Sequence, residues 1–360
     1  FAPYIIALFS VMLLQVVFAW YPDRAWYVFT ERVLKYSAMG LLIARFVKAP
    51  QQLGWLMFVW LLACWKGTLE GVVGGITGSL IWENQGIMRL NGVGLWSHPN
   101  SFSEFALGPI PFCFYLFPLA KKRWLQLGII SLFCFATYVV IYTGSRTGYL
   151  GYIAMLILFF FQSSQKVRKG LLIALMILIP ITVVYLPQDY QERFLSSFSG
   201  KEKEGASKES RMKLYREGWY VITHHPFGVG VGNFREVANI YFKDPMDQHC
   251  LYTEVLTEIG IQGFIVFMLV LGKIFSILKN TKNQLNEMLF IYETSETHNE
   301  YLICDVRFTY AVVQSILVYF QLRLFLDIFG MDLYGITWWF VIGIASSTFF
   351  VMKKLKEKMA

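Results

Sequence analysis

Charged residues are scarce in this chain of 360 residues: Asp, Glu, Lys and Arg make up 16% of it, whereas hydrophobic residues make up 56%. Soluble domains are closer to about one quarter charged, so this composition argues against an ordinary soluble domain and indicates lipid as the main solvent. The formal net charge of +8 does not indicate nucleic-acid binding, because the basic residues lie mostly in short runs between apolar segments. We therefore expect an integral membrane protein that binds membrane lipids and no nucleic acid.

Cysteine pairs and targeting signals are also lacking. The five cysteines form no CxxC pair, which predicts neither a disulfide framework nor a zinc site. The first twenty residues do not have the basic start and small-residue cleavage site of a secretory signal peptide. Because the sequence begins with Phe1 rather than Met, we expect that an N-terminal stretch precedes it.

Long apolar stretches occupy most of the sequence. A membrane-spanning helix needs about 20 mostly apolar residues. About ten stretches meet or approach this length: 1–20, 27–47, 53–75, 101–120, 125–143, 148–163, 170–187, 251–278, 307–329 and 332–352. The second is the weakest, since Glu31, Arg32 and Lys35 interrupt it. The pattern predicts an all-α polytopic membrane protein, a bundle of about ten transmembrane helices with one long loop.

Basic clusters between these stretches predict the orientation, because short loops rich in Lys and Arg stay in the cytoplasm. Four clusters face the same side without conflict, at 121–123, 166–169, 279–282 and 353–358. The opposite, external side then receives residues 21–26, 76–100, 144–147 and 188–250. We expect three regions: helices 1–7 within 1–187, an external loop with short helices at 188–250, and helices 8–10 within 251–360 with a cytoplasmic C-terminal tail.

Arginines and one histidine gather on the predicted external side. They are Arg89, Arg146 in a short turn, Arg211 and Arg216 in the long loop, and His249 at the end of that loop. The planar guanidinium fork suits phosphate oxygens, and several together bind a diphosphate without a metal. A histidine is able to accept a proton from an attacking hydroxyl. The set suggests group transfer from a diphosphate-linked lipid.

Each of these residues also has an ordinary interpretation. Arg146 fits an interfacial anchor that reaches the lipid headgroups, and Arg89 and Arg211 fit solvated loop charges. His249 fits a residue that orients the helix after it, and Glu258 fits plain helix packing beside nearby glycines. The series Gly228-Val-Gly230-Val-Gly232 predicts a tight turn, because no βαβ unit surrounds it to form a dinucleotide loop.

Four blocks, in order along the chain, resemble the O-antigen ligase and polymerase family of bacterial glycan transferases. The blocks are Arg89-Leu-Asn-Gly with His98-Pro-Asn100; Gly144-Ser-Arg-Thr-Gly148; Ser210-Arg211 with Trp219 and Pro226-Phe-Gly-Val-Gly-Val-Gly-Asn-Phe234; and His249-Cys-Leu-Tyr-Thr-Glu-Val-Leu-Thr-Glu-Ile-Gly-Ile-Gln-Gly263. The chain departs from the family pattern at Cys250, where Asn is usual, and at Tyr215, where Trp is common.

The resemblance implies an enzyme of the bacterial inner membrane with a periplasmic active site and about twelve helices in the full chain. Its donor would be a glycan on undecaprenyl diphosphate, its acceptor lipid A–core or a growing glycan, and it would need neither metal nor cofactor. His249 would be the catalytic base, and Arg89, Arg146 and Arg211 would bind the diphosphate. Arg216, Asn100 and Glu258 are lesser candidates for the site.

Three alternatives stay open at the level of sequence. Within the family, the residues do not separate a ligase from a polymerase or from an enzyme that glycosylates protein. A transporter of a lipid-linked or small anionic substrate would place its charges near the middle of the bilayer rather than at one face. A metal-dependent hydrolase would use His98, His224, His225 and His249, but these have no helical ligand spacing and no supporting carboxylate pattern.

Overall fold

The protein is described here by a computed structural model that covers residues 1–84, 87–163, 165, 168–169, 188, 190–191, 207–243, 245–294, 300–331 and 333–359. The chain divides into two compact units. The first comprises Phe1–Gly54, Ala206–Leu317 and Asp327–Ala360, and the second comprises Trp55–Gly205 and Val318–Leu326.

Six helices within the described residues are long and apolar enough to cross a membrane. They are Pro50–Thr77, Pro99–Leu119, Arg123–Tyr142, Gly260–Tyr292, Glu300–Leu326 and Ile336–Met359, and two shorter apolar helices are Ala2–Val17 and Arg146–Gln162. Many of their apolar side chains are exposed, Trp55 and Leu62 for example, as expected for a surface that faces lipid. The chain is thus a mainly helical, polytopic membrane protein. The predicted stretch 170–187 lies outside the described residues.

In chain order the helices are α1 Ala2–Val17, α2 Pro22–Val28, α3 Lys35–Phe46, α4 Pro50–Thr77, α5 Pro99–Leu107, α6 Ile110–Leu116, α7 Arg123–Tyr142, α8 Arg146–Gln162, α9 Ser207–His224, α10 Phe234–Tyr241, α11 Leu251–Glu258, α12 Gly260–Thr294, α13 Glu300–Leu326 and α14 Ile336–Met359. Short 3-10 turns lie at Gly94–Trp96 and Phe117–Leu119.

The weak second stretch is helical but irregular. A π-helical segment, Phe29–Leu34, joins α2 to α3, and Glu31 within it pairs with Lys35 one turn later. Thr30 donates its hydroxyl to the carbonyls of Trp26 and Tyr27, at 2.9 and 3.2 Å. Such back-bonding satisfies the hydroxyl inside the helix and often accompanies local distortion of the helical ladder.

The predicted stretch 251–278 forms two helices instead of one. Gly260 has a φ of +71°, a left-handed conformation that breaks the helix between α11 and α12. Glycine adopts this conformation at little energetic cost, whereas other residues do not. Beyond 278 the helix continues to Thr294, past the end that the apolar pattern predicted.

A short hairpin is the element that the sequence did not predict. Strands β1, Ile81–Asn84, and β2, Ile87–Leu90, pair antiparallel with Trp82 opposite Arg89. The hairpin lies in the predicted external stretch 76–100. Leu90 is fully buried, which anchors β2 to the second unit.

In the first unit, α3 packs closely along α14 through glycines. A Cβ on Gly40 would lie 2.5 Å from the carbonyl oxygen of Trp339, and one on Gly343 would lie 2.9 Å from the carbonyl oxygen of Gly40. Ser347 also donates its hydroxyl to the carbonyl of Ile43, at 3.0 Å. Small residues that let backbones approach, with an added hydroxyl hydrogen bond, are typical of helix crossings in membranes.

In the second unit, α5 packs against α7 and α8 around a core of buried apolar side chains. The core includes Leu90, Phe102, Leu107, Ile110, Val139, Met155, Val318 and Leu322. Beside it lies an ion pair in which the buried Arg323 of α13 donates to the partly buried Glu104 of α5 at 2.9 Å. This pair holds the end of α13 to α5, the helix that contains Asn100.

Two contacts within the first unit join segments that the sequence predicts on the same side of the membrane. Trp20, beside the external stretch 21–26, donates its amide to Val229 in the long external loop, at 3.1 Å. At the opposite end, the ammonium of Lys48 lies 5.4 Å from the ring centre of Phe350, close to the lysines of the C-terminal tail. Segments expected on one side therefore meet one another.

Candidate functional site

Arg146 is positioned by the turn between α7 and α8. Gly144 has a φ of +57°, which lets the chain reverse there, and Ser145 is the N-cap of α8. The Ser145 hydroxyl oxygen accepts the amide of Gly148 at 3.1 Å, so Arg146 is the first residue of the helix. Its side chain is half-buried at an N-terminus, where the helix dipole also favours an anion.

Asn100 lies beside this turn in the second unit. The Ser145 hydroxyl donates to Asn100 Oδ1 at 2.8 Å, and the Asn100 amide donates to the Nδ1 of His98 at 3.2 Å. His98 is therefore the N-cap of α5. The structure thus brings together Asn100 and the turn that carries Arg146.

The close fit of α5 and α8 depends on Gly148. A Cβ at Gly148 would overlap Ser103 Oγ and lie 2.9 Å from Ser103 Cβ. Ser103 is fully buried. The second glycine of the Gly144–Gly148 block is therefore needed for the approach of the two helix N-termini.

Arg89 is on strand β2 of the same unit, and its side chain is buried. A charged side chain is costly to bury unless it is paired, so a buried arginine on a short hairpin is unlike the solvated loop charge of the ordinary interpretation.

The other site residues predicted from sequence belong to the first unit. Arg211 and Arg216 are on α9, where the Arg216 side chain is exposed and that of Arg211 lies outside the described part. Tyr215 donates its hydroxyl to the carbonyl of Ile328 at 3.3 Å, which gives this departure from the family pattern a structural use. α9 packs against α11.

His249 precedes α11, and its side chain is exposed. Its neighbour Gln248 is buried, accepts the hydroxyl of Thr253 at 2.7 Å, and lies where a Cβ on Gly218 of α9 would be 2.8 Å from Gln248 Nε2. Leu251 donates its amide to the carbonyl of Asp327 at 2.9 Å. The His249 backbone is thus held between α9 and the start of the segment 327–334.

Glu258 ends α11 and is buried. Its Oε2 accepts the amide of Gly232 and the hydroxyl of Tyr334, each at 2.6 Å, and its Oε1 accepts the amide of Phe234 at 3.4 Å. Burial raises the pKa of Glu258 to about 7, an effect opposed first by the hydrogen bond from Tyr334 and then by the two amides. The carboxyl group faces the protein's own loop.

That loop, residues 226–234, is called the glycine loop below. Gly228, Gly230 and Gly232 have φ values of +91°, +108° and +68°, which only glycine adopts readily. Val229 and Gly230 donate their amides to the carbonyls of Thr257 and Glu258, at 2.9 and 3.0 Å. The prediction of a tight turn is confirmed, and the turn is pinned to the end of α11.

Sequence reasoning missed Tyr334 and Arg24, both of which bear on this loop. Arg24 donates from Nε to the carbonyl of Gly232 at 2.6 Å and pairs with Glu236 at 2.6 Å. Arg24 had a weak signal, because residues 21–26 were predicted on the external side. Tyr334 lies within the predicted apolar stretch 332–352, which gave no such signal. Nothing in their spacing from Glu258 predicted the contact.

Aromatic rings and two histidines form a cluster beside the glycine loop. The ring of His224 stacks on Tyr220 at 3.9 Å, and His225 Nε2 lies 2.9 Å from the Tyr241 hydroxyl. Burial, and then the neighbouring His224, lowers the pKa of His225. Within the described residues, no three His, Cys, Asp or Glu side chains are grouped so that they could hold a metal ion.

Comparison with known proteins gives one family match. A protein-family model described as O-antigen ligase matches residues 111–268, a little under half of the chain. No curated protein matches the chain. The matched range contains Arg146, Arg211, Arg216, His249 and Glu258, whereas Arg89 and Asn100 precede it. The resemblance to the O-antigen ligase and polymerase family is therefore confirmed.

Proposed function

We propose, from the match of residues 111–268 to the O-antigen ligase family model, that this membrane protein transfers a glycan from undecaprenyl diphosphate to an acceptor hydroxyl at the periplasmic face of the bacterial inner membrane. The family supports a membrane enzyme that joins glycans. The lipid donor, the side of the membrane and the roles of individual residues are our proposal.

In the proposed reaction, the acceptor hydroxyl oxygen attacks the anomeric carbon of the donor sugar. His249 takes the hydroxyl proton, a bond forms between that oxygen and the anomeric carbon, and the bond from the anomeric carbon to the diphosphate oxygen breaks. The diphosphate leaves with the bonding electron pair on its lipid carrier. The exposed side chain of His249 at the start of α11 is compatible with this role.

Arg89, Arg146 and Arg211 bind the diphosphate and stabilise the charge that develops on it. Arg146 has the clearest support, because it starts a helix whose N-terminus favours an anion and whose cap is tied to Asn100. Arg216 and Asn100 are lesser contributors, Asn100 through its contact with the turn. Glu258 accepts amides of the glycine loop, which supports a role in holding that loop rather than in binding the diphosphate.

The observation that carries the proposal is the position of the family match, which covers the Arg146 turn, the arginines of α9 and His249 in one continuous range. The experiment is a His249→Ala variant in the native host, with surface glycans and lipid-linked glycans separated on gels. His224→Ala is the matched control, since it removes an exposed histidine of the same loop that stacks on Tyr220.

We expect His249→Ala to lower transfer by about a hundredfold or more, whereas His224→Ala keeps the wild-type pattern. Polymer that accumulates on the lipid carrier and disappears from lipid A–core would identify a ligase. Single repeats on the core, without long chains, would identify a polymerase. A wild-type glycan pattern in His249→Ala, with the variant present in the membrane, would contradict the proposal.

A further inference from the structure

Four chain segments of the first unit converge on the backbone of Gly232. Its amide donates to Glu258 Oε2 at 2.6 Å, and its carbonyl accepts from Arg24 Nε at 2.6 Å. Glu258 is held in turn by the hydroxyl of Tyr334, and Arg24 by Glu236 of α10. Both backbone polar groups of one residue, the N–H and the C=O of Gly232, are therefore bound by ionisable side chains that are far apart in sequence.

The backbone around Gly232 leaves little room for another arrangement. A Cβ on Gly230 would lie 2.5 Å from Ala19 Cβ, and one on Gly232 would lie 2.7 Å from a methyl carbon of Val28. The glycine loop is thus pressed against the segment between α1 and the π-helical turn. Gln15 of α1 and Gln262 of α12 both donate to the carbonyl of Phe227, at 2.5 and 2.8 Å.

The glycine loop joins the two helices that carry the proposed reactive groups. It begins directly after α9, which bears Arg211 and Arg216, and it is bonded to the last turn of α11, which starts just after His249. α11 has eight residues and is about 12 Å long, so a shift of the loop at Glu258 is passed to His249 through a short rigid element.

Residues 327–331 and 333–334, together called the bracing turn, contact the same two helices. It accepts the hydroxyl of Tyr215 at Ile328 and the amide of Leu251 at Asp327. The Leu333 amide donates to Glu254 of α11 at 3.2 Å. Tyr334 ends this turn at Glu258, so the Glu258 carboxyl group links the bracing turn to the glycine loop.

We propose that Glu258 and Arg24 are positioning residues, which clamp the backbone N–H and C=O of Gly232 and thereby fix α9 relative to α11. The clamp does not touch substrate. Its consequence for catalysis rests on the proposed function, because the arginines of α9 and His249 are the groups it would align. The clamp itself is a property of the fold and is measurable without any substrate.

The first test is hydrogen–deuterium exchange of the protein in lipid nanodiscs. In Glu258→Gln and Arg24→Gln we expect amides of residues 229–234 to exchange about tenfold faster or more than in wild type. Asp247→Asn is the matched control, because it removes a carboxylate of the same loop that pairs with Arg235 at 3.6 Å and does not contact Gly232. Arg24 is partly exposed, so its variant stays informative if Glu258→Gln does not fold.

The second test measures glycan transfer with purified protein and a lipid-linked donor. We expect Arg24→Gln to lower kcat about tenfold, with the KM for the donor nearly unchanged, and Arg24→Lys to restore part of the loss, since the ammonium still donates to the Gly232 carbonyl. A change in KM alone would mean that Arg24 binds donor, and it would overturn the positioning role.

The outcomes separate the clamp from the proposed function. Exchange in both variants that equals that of Asp247→Asn would overturn the clamp, whatever the activity. Faster exchange with full transfer activity would overturn the positioning role. Failure of the wild-type protein to transfer glycan would refute the proposed function, while the exchange data would still decide whether Glu258 and Arg24 hold the loop.

Discussion

The hydroxyl of Ser145 makes two hydrogen bonds: it accepts the amide of Gly148 at 3.1 Å and donates to Asn100 Oδ1 at 2.8 Å. The first bond caps α8, and the second ties that cap to the start of α5. A single side chain thereby holds Arg146 at the meeting point of two helix N-termini.

Ser145→Ala removes both bonds. We expect the unfolding free energy to fall by about 1–2 kcal/mol, the usual cost of a lost N-cap together with an unpaired polar group. Unfolding in mixed micelles measures this. Thr77→Ala is the control, because the Thr77 hydroxyl is exposed and bonds only locally. Equal stability of the two variants would mean that Ser145 does not hold the turn.

We expect Gly148→Ala to lower the unfolding free energy more than Ser145→Ala does, because it disturbs the packing between α5 and α8. The added Cβ would overlap Ser103, and overpacking of this kind costs about 1–3 kcal/mol. Ser103→Gly in the same chain removes the overlapped atoms, so it should recover part of the loss. Gly128→Ala on α7 is the matched control, since nothing lies within 4 Å of its Cβ position.

The Gly128 control is expected to be neutral or slightly stabilising, because alanine is the better helix former. If Gly148→Ala is equally harmless, or if Ser103→Gly gives no recovery, the close approach of the two helices does not depend on Gly148.

The buried pair of Arg323 and Glu104 gives a prediction about single and double variants. Arg323→Met removes this partner from the partly buried Glu104 carboxylate, which should cost up to about 3 kcal/mol, less than for a fully buried pair. The double variant Glu104→Gln with Arg323→Met should cost less than Arg323→Met alone, because no uncompensated charge remains. Unfolding of the single and double variants measures the difference; additive losses would contradict the pairing.

The sequence predicted helices well where about 20 apolar residues run without a break, as in α7 and α14. It did not predict the break at Gly260, because an isolated glycine in an apolar stretch is compatible with a continuous helix. The hairpin was missed because its two strands have only four residues each, too few for a period-two pattern.

The candidate site shows the same division. Ordered motifs along the chain predicted Arg146 and His249 as members of one family pattern, and a matched family model covers both. They did not predict that Glu258 contacts Tyr334, or that Arg323 pairs with Glu104 across a separation of 219 residues. Such pairs are set by how distant helices pack, which a single sequence does not encode in any local period.

The last prediction concerns pH and the Glu258 carboxyl group, which lies outside the spanning helices. Burial raises the pKa of Glu258 from 4.5 to about 7, so between these values the folded protein binds more protons than the unfolded chain. Its contribution to stability is therefore full below about pH 4.5 and is lost as the pH rises through 7.

Comparison with Glu258→Gln isolates this effect. We compare the unfolding free energies of wild type and Glu258→Gln at pH 4.5 and at pH 8. Relative to the variant, wild type should lose up to about 3 kcal/mol of stability between pH 4.5 and pH 8. Tyr334 and Arg24 act on the carboxyl group directly. Glu236 pairs with Arg24 and Glu254 acts on Tyr334, and all four residues are present in both proteins. A flat difference, or one that favours wild type as the pH rises, would mean that the hydrogen bonds from Gly232 and Tyr334 outweigh burial at Glu258.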